Sequence, residues 1–319
     1  MSSRKAVVDG RIQDAARSKT TLLGRRAFIK VALASAVFSS LKPEAVAANQ
    51  PIVSRHGLID TNVNLSRWPL RRVRYDDTTA LAAMLRQQGV AQAWAGSFDA
   101  LLHKDIGSVN ARLADECRRH GHGILLPFGS INPKSPDWEE ELRRCAQEYR
   151  MIGIRLNPNY HGYKFKDPDF IRLLRLAARF RMIVQVALLM EDERMMHPML
   201  RAEPVDIAPL ANIVKNIPAL QLVLLNAAGK LHGQSLTTLL AAGNVFLEIS
   251  MLEGVGGVSN LLTQVPLNRV LFGSYAPLFY FESALLKLKE SPIDSLQLGM
   301  IRRGNAEQLV SGLNRNQNK

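Results

Sequence analysis

Apolar residues along this chain gather in short unbroken runs, and each run is followed by a longer stretch with helical spacing. The short runs fall at 57–63, 91–95, 124–128, 152–156, 183–188, 221–225, 245–249 and 270–272. Strand-like runs that are apolar throughout, instead of alternating with polar residues, belong to a parallel sheet covered on both faces. The segments at 78–88, 109–120, 138–149, 168–180, 210–216, 235–242, 258–264 and 281–289 are predicted to be the covering helices. Eight strand–helix units in about 250 residues predict an α/β fold of the (β/α)8 TIM-barrel type, a single domain over 48–319. An open doubly wound sheet is the competing arrangement. Gly254-Val255-Gly256-Gly257 follows a strand, but it has neither the dinucleotide nor the phosphate-loop spacing that would favour that alternative. The segment 294–313 predicts a further helical element that closes the barrel.

The first 47 residues break the pattern. Gly24-Arg25-Arg26-Ala27-Phe28-Ile29-Lys30 leads into the apolar run 31–41 and then Ala45-Val46-Ala47. A charged region, a short greasy region and a small-residue cleavage site in that order mark an export signal. Paired arginines followed by Phe and Lys resemble the bacterial twin-arginine type. The run is far shorter than the roughly 20 apolar residues of a membrane-spanning helix, so no transmembrane span is expected. An uncleaved interfacial anchor is the alternative. Residues 1–47 are therefore expected to be a twin-arginine-type export signal. The export machinery is then a partner, and the protein's place is the periplasm or cell envelope.

Composition narrows the partners. The chain carries a net charge of +13, and residues 1–47 hold nine Lys/Arg against three Asp/Glu, which leaves +7 on the remainder. That balance favours anionic ligands. The excess charge is not concentrated in a run, so nucleic acid is not expected. Cys117 and Cys145 are the two cysteines; their spacing neither forms a metal cluster nor demands a disulfide. A homo-oligomer is left open.

In a barrel of this kind, chemistry gathers at the C-terminal ends of strands. Those ends offer Asp60, Asn62 and Asn64, then Arg155, Asn157, Asn159, Tyr160 and His161, then Glu191, Asp192, Glu193, Arg194 and His197, then Asn226, Glu248, Ser274 and Tyr275. Glu191 and Arg194, or Glu193 and His197, would share a helical face. A histidine beside a carboxylate can act as general base at neutral pH. The candidate catalytic group is accordingly His161, Glu191 and His197. The bland reading is a turn cap and a structural ion pair. Arg67, Arg71, Arg72 and Arg74 crowd the loop after the first strand, either as a solvated basic loop or as a forked anion receptor. Arg155, inside an apolar strand, needs a buried partner, for which Asp60 or Glu248 is suited. Candidate substrate-binding residues are Arg67, Arg155, Asn157, Arg194, Asn226 and Tyr275.

Ile59-Asp60-Thr61-Asn62-Val63-Asn64, Arg155-Leu156-Asn157-Pro158-Asn159-Tyr160-His161-Gly162-Tyr163, Phe272-Gly273-Ser274-Tyr275-Ala276-Pro277 and Gly304-Asn305-Ala306 together resemble the amidohydrolase-related (amidohydrolase 2-like) family. The resemblance spans 58–309 and implies a metal-dependent barrel of the hydrolase and aromatic-acid decarboxylase group. It also implies a His-x-His pair where this chain has Asn62 and Asn64, a histidine near Ala187, a histidine at Asn226 and an aspartate at Tyr275. Amides and a phenol are weak zinc ligands, so no metal ligands are assigned and no cofactor is expected, with a divalent Zn or Mn left open. An oxygen-rich site for a hard cation from Asp60, Asn62, Asn64 and Glu248 is a weaker option. The expected function is that of an amidohydrolase-related hydrolase or lyase with a degenerate metal site, hydrolysing C–N or C–O bonds or decarboxylating a small anionic substrate. The alternative is a non-catalytic barrel that binds an anionic ligand or an envelope partner.

Overall fold

All eight apolar runs become parallel strands: β1 (Leu58–Leu65), β2 (Val90–Ser97), β3 (Leu125–Ser130), β4 (Gly153–Leu156), β5 (Ile183–Ala187), β6 (Gln221–Leu225), β7 (Asn244–Glu248) and β8 (Val270–Leu271). The computed structural model describes residues 57–192, 194–198 and 201–315; the export segment expected over 1–47 lies outside them. Strands follow one another around the sheet in chain order. The seam is made by Thr61 N donating to Phe272 O at 2.9 Å, Tyr275 N to Asn62 O at 2.8 Å and Asn64 N to Ala276 O at 2.9 Å. The architecture is the expected (β/α)8 TIM barrel.

The helices are α1 (Thr78–Gln87), α2 (Ile106–His120), α3 (Trp138–Arg143), a short α4 (Pro158–His161), α5 (Pro168–Arg179), α6 (Leu210–Lys215), α7 (Gly233–Ala242), α8 (Gly257–Leu262), α9 (Phe281–Glu290), α10 (Ser295–Gly299) and α11 (Asn305–Arg315). Local chemistry starts them: Asp77 and Asp105 accept from backbone N–H groups of the first turns of α1 and α2, each at 3.0 Å. α5 places Pro168 in its first turn and buries Phe170, Leu173, Leu174, Ala177 and Ala178, the three- and four-residue spacing of a single stripe. Two predicted helices differ in detail. The 138–149 helix ends in a widened π turn, Arg144–Glu148. The 294–313 segment divides into α10, a π turn at Met300–Gly304 and α11.

Alternate strand residues sort into two cores, as the pleat requires. Leu222 and Leu224 of β6 pack outward with the helices, while Val223 and Leu225 join Ile59, Trp94, Phe128, Phe246 and Leu271 in a second cluster. Ala306 and Leu309 of α11 join that second cluster too, and Asn305 Nδ2 donates to Leu267 O and Val270 O at 2.7 Å each. The opposite end of the barrel is left for polar side chains. No helix among the described residues is long and apolar enough to cross a membrane.

Candidate active site

β1 carries three polar side chains into the barrel, and Asp60, Asn62 and Asn64 are all buried. Asn62 Nδ2 donates to Asn226 Oδ1 at 2.9 Å and to Glu248 Oε1 at 3.3 Å, so one amide ties β1 to the ends of β6 and β7. Glu248 also accepts from Asn226 N at 2.6 Å, Ser250 N at 2.6 Å and Ser250 Oγ at 2.8 Å. Asp60 accepts from Asn62 N at 3.1 Å and Ser274 N at 3.0 Å, and from the Ser274 hydroxyl. Burial pushes the Asp60 pKa up to about 7; hydrogen bonds from Ser274 and Asn62 restrain the rise, and the charge of Glu248 adds to it.

Arg155 of β4 is 3% exposed and has neutral partners. Nε donates to Gln185 Oε1 at 2.9 Å, Nη1 to Val63 O at 2.8 Å and Asn64 Oδ1 at 2.7 Å, and Nη2 to Trp94 O at 3.0 Å. The anticipated carboxylate bond from Asp60 or Glu248 is replaced by backbone and amide oxygens; the two acids act on Arg155 only through their charge. Burial lowers its pKa to about 10, which still leaves it cationic.

Nearer the surface, Glu191 is buried and pairs with Arg71, joining the loops after β5 and β1. Tyr275 donates its hydroxyl to Met190 O at 2.8 Å. Burial first, then the nearby Tyr160 and Glu191, hold its pKa well above 10, so it keeps its proton. Tyr160 is itself pushed up to about 12, by burial and then by Glu191. His161 sits 2.8 Å (Nε2) from Ala100 O, which makes Nε2 the protonated nitrogen, and burial lowers its pKa. Arg194 pairs with Asp192 at 2.7 Å instead of Glu191. The candidate group of His161, Glu191 and Arg194 is thus bonded to other residues, and His197 is exposed on the same loop as Arg194. Of the binding candidates, Arg67 is exposed and its charge acts on Asp76. Asn157 is buried with Oδ1 unpartnered.

The structure brings Asn226 and Arg194 together in a cavity of about 630 Å³ over the ends of β6 and β7. Its floor holds Asn226 and Ser250; its walls include Lys230, Glu253, Phe279 and Lys287. Lys287 Nζ donates to Ile249 O at 3.3 Å and to Ser250 O. Burial lowers its pKa, against the pull of Glu248 and Glu253. Ser250, Lys230 and Lys287 were not singled out from sequence. Ser250, two residues past Glu248, lay within reach of strand-end reasoning, whereas Lys287 sits on α9 and reads as an ordinary surface charge.

The family resemblance implies a metal at Asn62, Asn64, Asn226 and Tyr275. The side chains found there do not fit one. Asn226 spends its amide on Asn62, Ser250 and the Leu189 carbonyl; Asn62 donates to Asn226 and Glu248, and its unpartnered Oδ1 is a single neutral amide oxygen, a weak ligand. Tyr275 is protonated, and Asn64 Oδ1 already accepts from a guanidinium. Among the described residues no three His, Cys, Asp or Glu side chains converge on a common point.

The polar side chains gather at the C-terminal ends of the strands, the face where (β/α)8 barrels carry their chemistry. The sequence profile of the amidohydrolase family matches residues 59–310, and the chain belongs to that family. Among solved structures it is similar to 2,6-dihydroxybenzoate decarboxylase from Rhizobium, at 14% identity over 79% of this chain and 99% of that one, with a TM-score of 0.59. It is also similar to 5-carboxyvanillate decarboxylase from Novosphingobium aromaticivorans, solved with manganese and 3-methoxy-4-hydroxy-5-nitrobenzoic acid, at 14% identity, 81% and 97% coverage, and a TM-score of 0.62. An uncharacterised TIM-barrel protein from Bordetella bronchiseptica matches at 13% identity, 81% and 100% coverage, and 0.61. No curated protein matches at a significant level.

Proposed function

We propose that this chain acts as a hydrolase or lyase, by C–N or C–O hydrolysis or by decarboxylation, on a small anionic molecule held in the cavity over β6 and β7. One observation carries the reading: the cavity sets Arg194, Lys230 and Lys287 around a floor of Asn226 and Ser250, and that floor is hydrogen-bonded to buried Glu248. The cations would hold a carboxylate, and Phe279, Met251 and Leu252 would pack on its apolar body. The Ser250 hydroxyl, between Glu248 Oε1 and Asn226 Oδ1, can turn its proton toward either and present a lone pair to the substrate. The decarboxylases among its structural neighbours act on aromatic carboxylates, which supports an anionic substrate. Glu191 remains a candidate for proton transfer because it is buried at the mouth beside Tyr160 and Tyr275. His161 and His197 rest on sequence reasoning alone.

The manganese bound in two such neighbours supports a divalent metal for the fold, so the relatives do not support the expectation of no cofactor. What argues for a degenerate metal site here is this chain's own donor set. The test is turnover of 2,6-dihydroxybenzoate and of small carboxylate esters and amides by the wild type, Arg194→Met and Lys230→Met. The expected result is a KM raised roughly tenfold per lost charge, with kcat little changed. Unchanged KM in both variants would remove the cavity from the reaction.

A second reading, a non-catalytic barrel that binds an anionic ligand or envelope partner, is favoured by the extent to which Asp60 and Glu248 are saturated by internal bonds. Calorimetric binding without turnover would select it. We also propose, on sequence grounds, that residues 1–47 direct export to the periplasm or cell envelope. An N-terminus just after Ala47, lost when Arg25 and Arg26 become Lys, is the expected finding.

A further inference from the structure

Lys287 differs from the other two cations of the cavity. Arg194 and Lys230 are exposed, and Arg194 is paired with Asp192. Lys287 is half-buried on the inner side of α9, with Nζ fixed against the carbonyls of Ile249 and Ser250. A neutral amine has two N–H bonds and one lone pair. With both N–H bonds directed at those carbonyls, the lone pair is left for the cavity that Lys287 lines. The charged groups around it are Glu248 and Glu253 from β7 and its loop, Arg194 and Asp192 from the loop after β5, and Lys230 from the loop after β6. Burial outweighs the two glutamates and lowers the pKa, so the amine gives up its proton more readily than a surface lysine does. Desolvation of a lysine in a pocket is one route to a nucleophilic amine.

We propose that Lys287 is the reactive amine of this cavity, and that the ligand is a small 3-oxo carboxylate whose carbonyl condenses with Nζ while its carboxylate lies against Lys230 and Arg194. This rests on the reading of the cavity as the substrate site. The amine adds to the carbonyl and one water leaves, giving a protonated imine. The bond between the carboxylate carbon and its neighbour breaks, its electron pair moves into the imine, and CO₂ departs. The enamine takes a proton on carbon, and water hydrolyses the imine to release the ketone and restore the amine. One proton is consumed and no oxidant, reductant or metal is required. Phe279, Met251 and Leu252 exclude water from the ligand's apolar side.

The experiment incubates the full chain with acetoacetate and borohydride, then maps adducts by peptide mass spectrometry and follows CO₂ release. Lys287→Met is compared with Lys287→Arg, which keeps the charge and the carbonyl contacts but cannot form the imine. Folding of each is checked by circular dichroism, and benzoate binding is measured in parallel by calorimetry. The expected result is an isopropyl adduct on Lys287, displaced by benzoate, with CO₂ release lost in both variants and benzoate binding kept in Lys287→Arg. An adduct spread over surface lysines, or CO₂ release retained in Lys287→Arg, would overturn the amine while leaving the cavity as the substrate site. Benzoate binding that Lys230→Met and Arg194→Met leave unchanged would overturn the site itself, and the amine with it.

Discussion

An acid sealed inside a barrel holds its proton more tightly than the same acid in the unfolded chain. For Asp60 the pKa moves from 3.8 to about 7 on folding. The folded chain therefore binds more protons than the unfolded one between about pH 4 and pH 7, and stability falls through that window as pH rises. Above about pH 7 the difference is constant. Asp60→Asn mimics the protonated acid: its oxygen can accept from Asn62 N and Ser274 N, and its amide can donate to Ser274 Oγ. The variant should lose the downward slope and exceed the wild type at about pH 8, by about 1.4 kcal/mol for each tenfold of proton affinity removed. Parallel urea-denaturation curves for the two proteins across that range would defeat the claim. Gly96 supplies a second prediction, since a Cβ there would stand 2.7 Å from Arg155 Cδ, 2.8 Å from Nη1 and 2.9 Å from Nε. Four acceptors pin that guanidinium, so Gly96→Ala should cost about 1–3 kcal/mol in chemical denaturation. A loss within error of zero would mean that the arginine has slack. The sequence shows that Arg155 needs a buried partner but not which one. An arginine's five donors can be satisfied by carbonyls that no side-chain pattern reveals.

Strands are legible because a doubly covered β-strand is apolar along its length. Their ends are less so, because the last residues answer to neighbours far along the chain. The apolar run at 270–272 yields a strand of only two residues, since Phe272 N donates to Ile301 O at 3.1 Å and Phe272 O accepts from Thr61 N. The 138–149 helix widens into a π turn whose ends are fixed by Tyr149 N to Arg144 O and Met151 N to Cys145 O, each 2.9 Å; residue spacing carries no sign of that. Lys287 is illegible in the sequence for a related reason: only the packing of α9 against the barrel distinguishes it from Lys289. An element-scale prediction concerns α2, where buried Asn110 donates to Ser130 O at 2.9 Å and accepts from Ser130 N at 2.7 Å. This clamp holds the end of β3 to its helix. Asn110→Leu strands both backbone groups and should cost about 2–4 kcal/mol, read as a lower urea midpoint at unchanged slope. A smaller loss would show that water takes over the clamp.

For the whole molecule, a barrel stabilised by its own hydrogen bonds and one fixed guanidinium should fold without a metal. Elemental mass spectrometry of the protein purified from its native export route is expected to find no stoichiometric Mn or Zn, and the melting temperature should not change with EDTA. A drop in melting temperature restored by manganese would overturn the donor-set argument. The order of motifs along the chain made both the fold and the family legible. The cavity was not, because it is built from five separate loops and helices whose meeting depends on barrel closure.

That closure has a consequence for how the chain is made. The seam joins Thr61 to Phe272, 211 positions later, so the first strand waits for nearly all the rest to be synthesised before its outer edge is covered. Contacts so distant in sequence form late and slowly. Until they form, Ser274 is absent from Asp60, and that carboxyl stands in water as an ordinary acid. Zipping the seam must therefore draw about half a proton from solution at neutral pH and nearly a whole one at about pH 5.5, so the final refolding step should quicken in mildly acidic buffer.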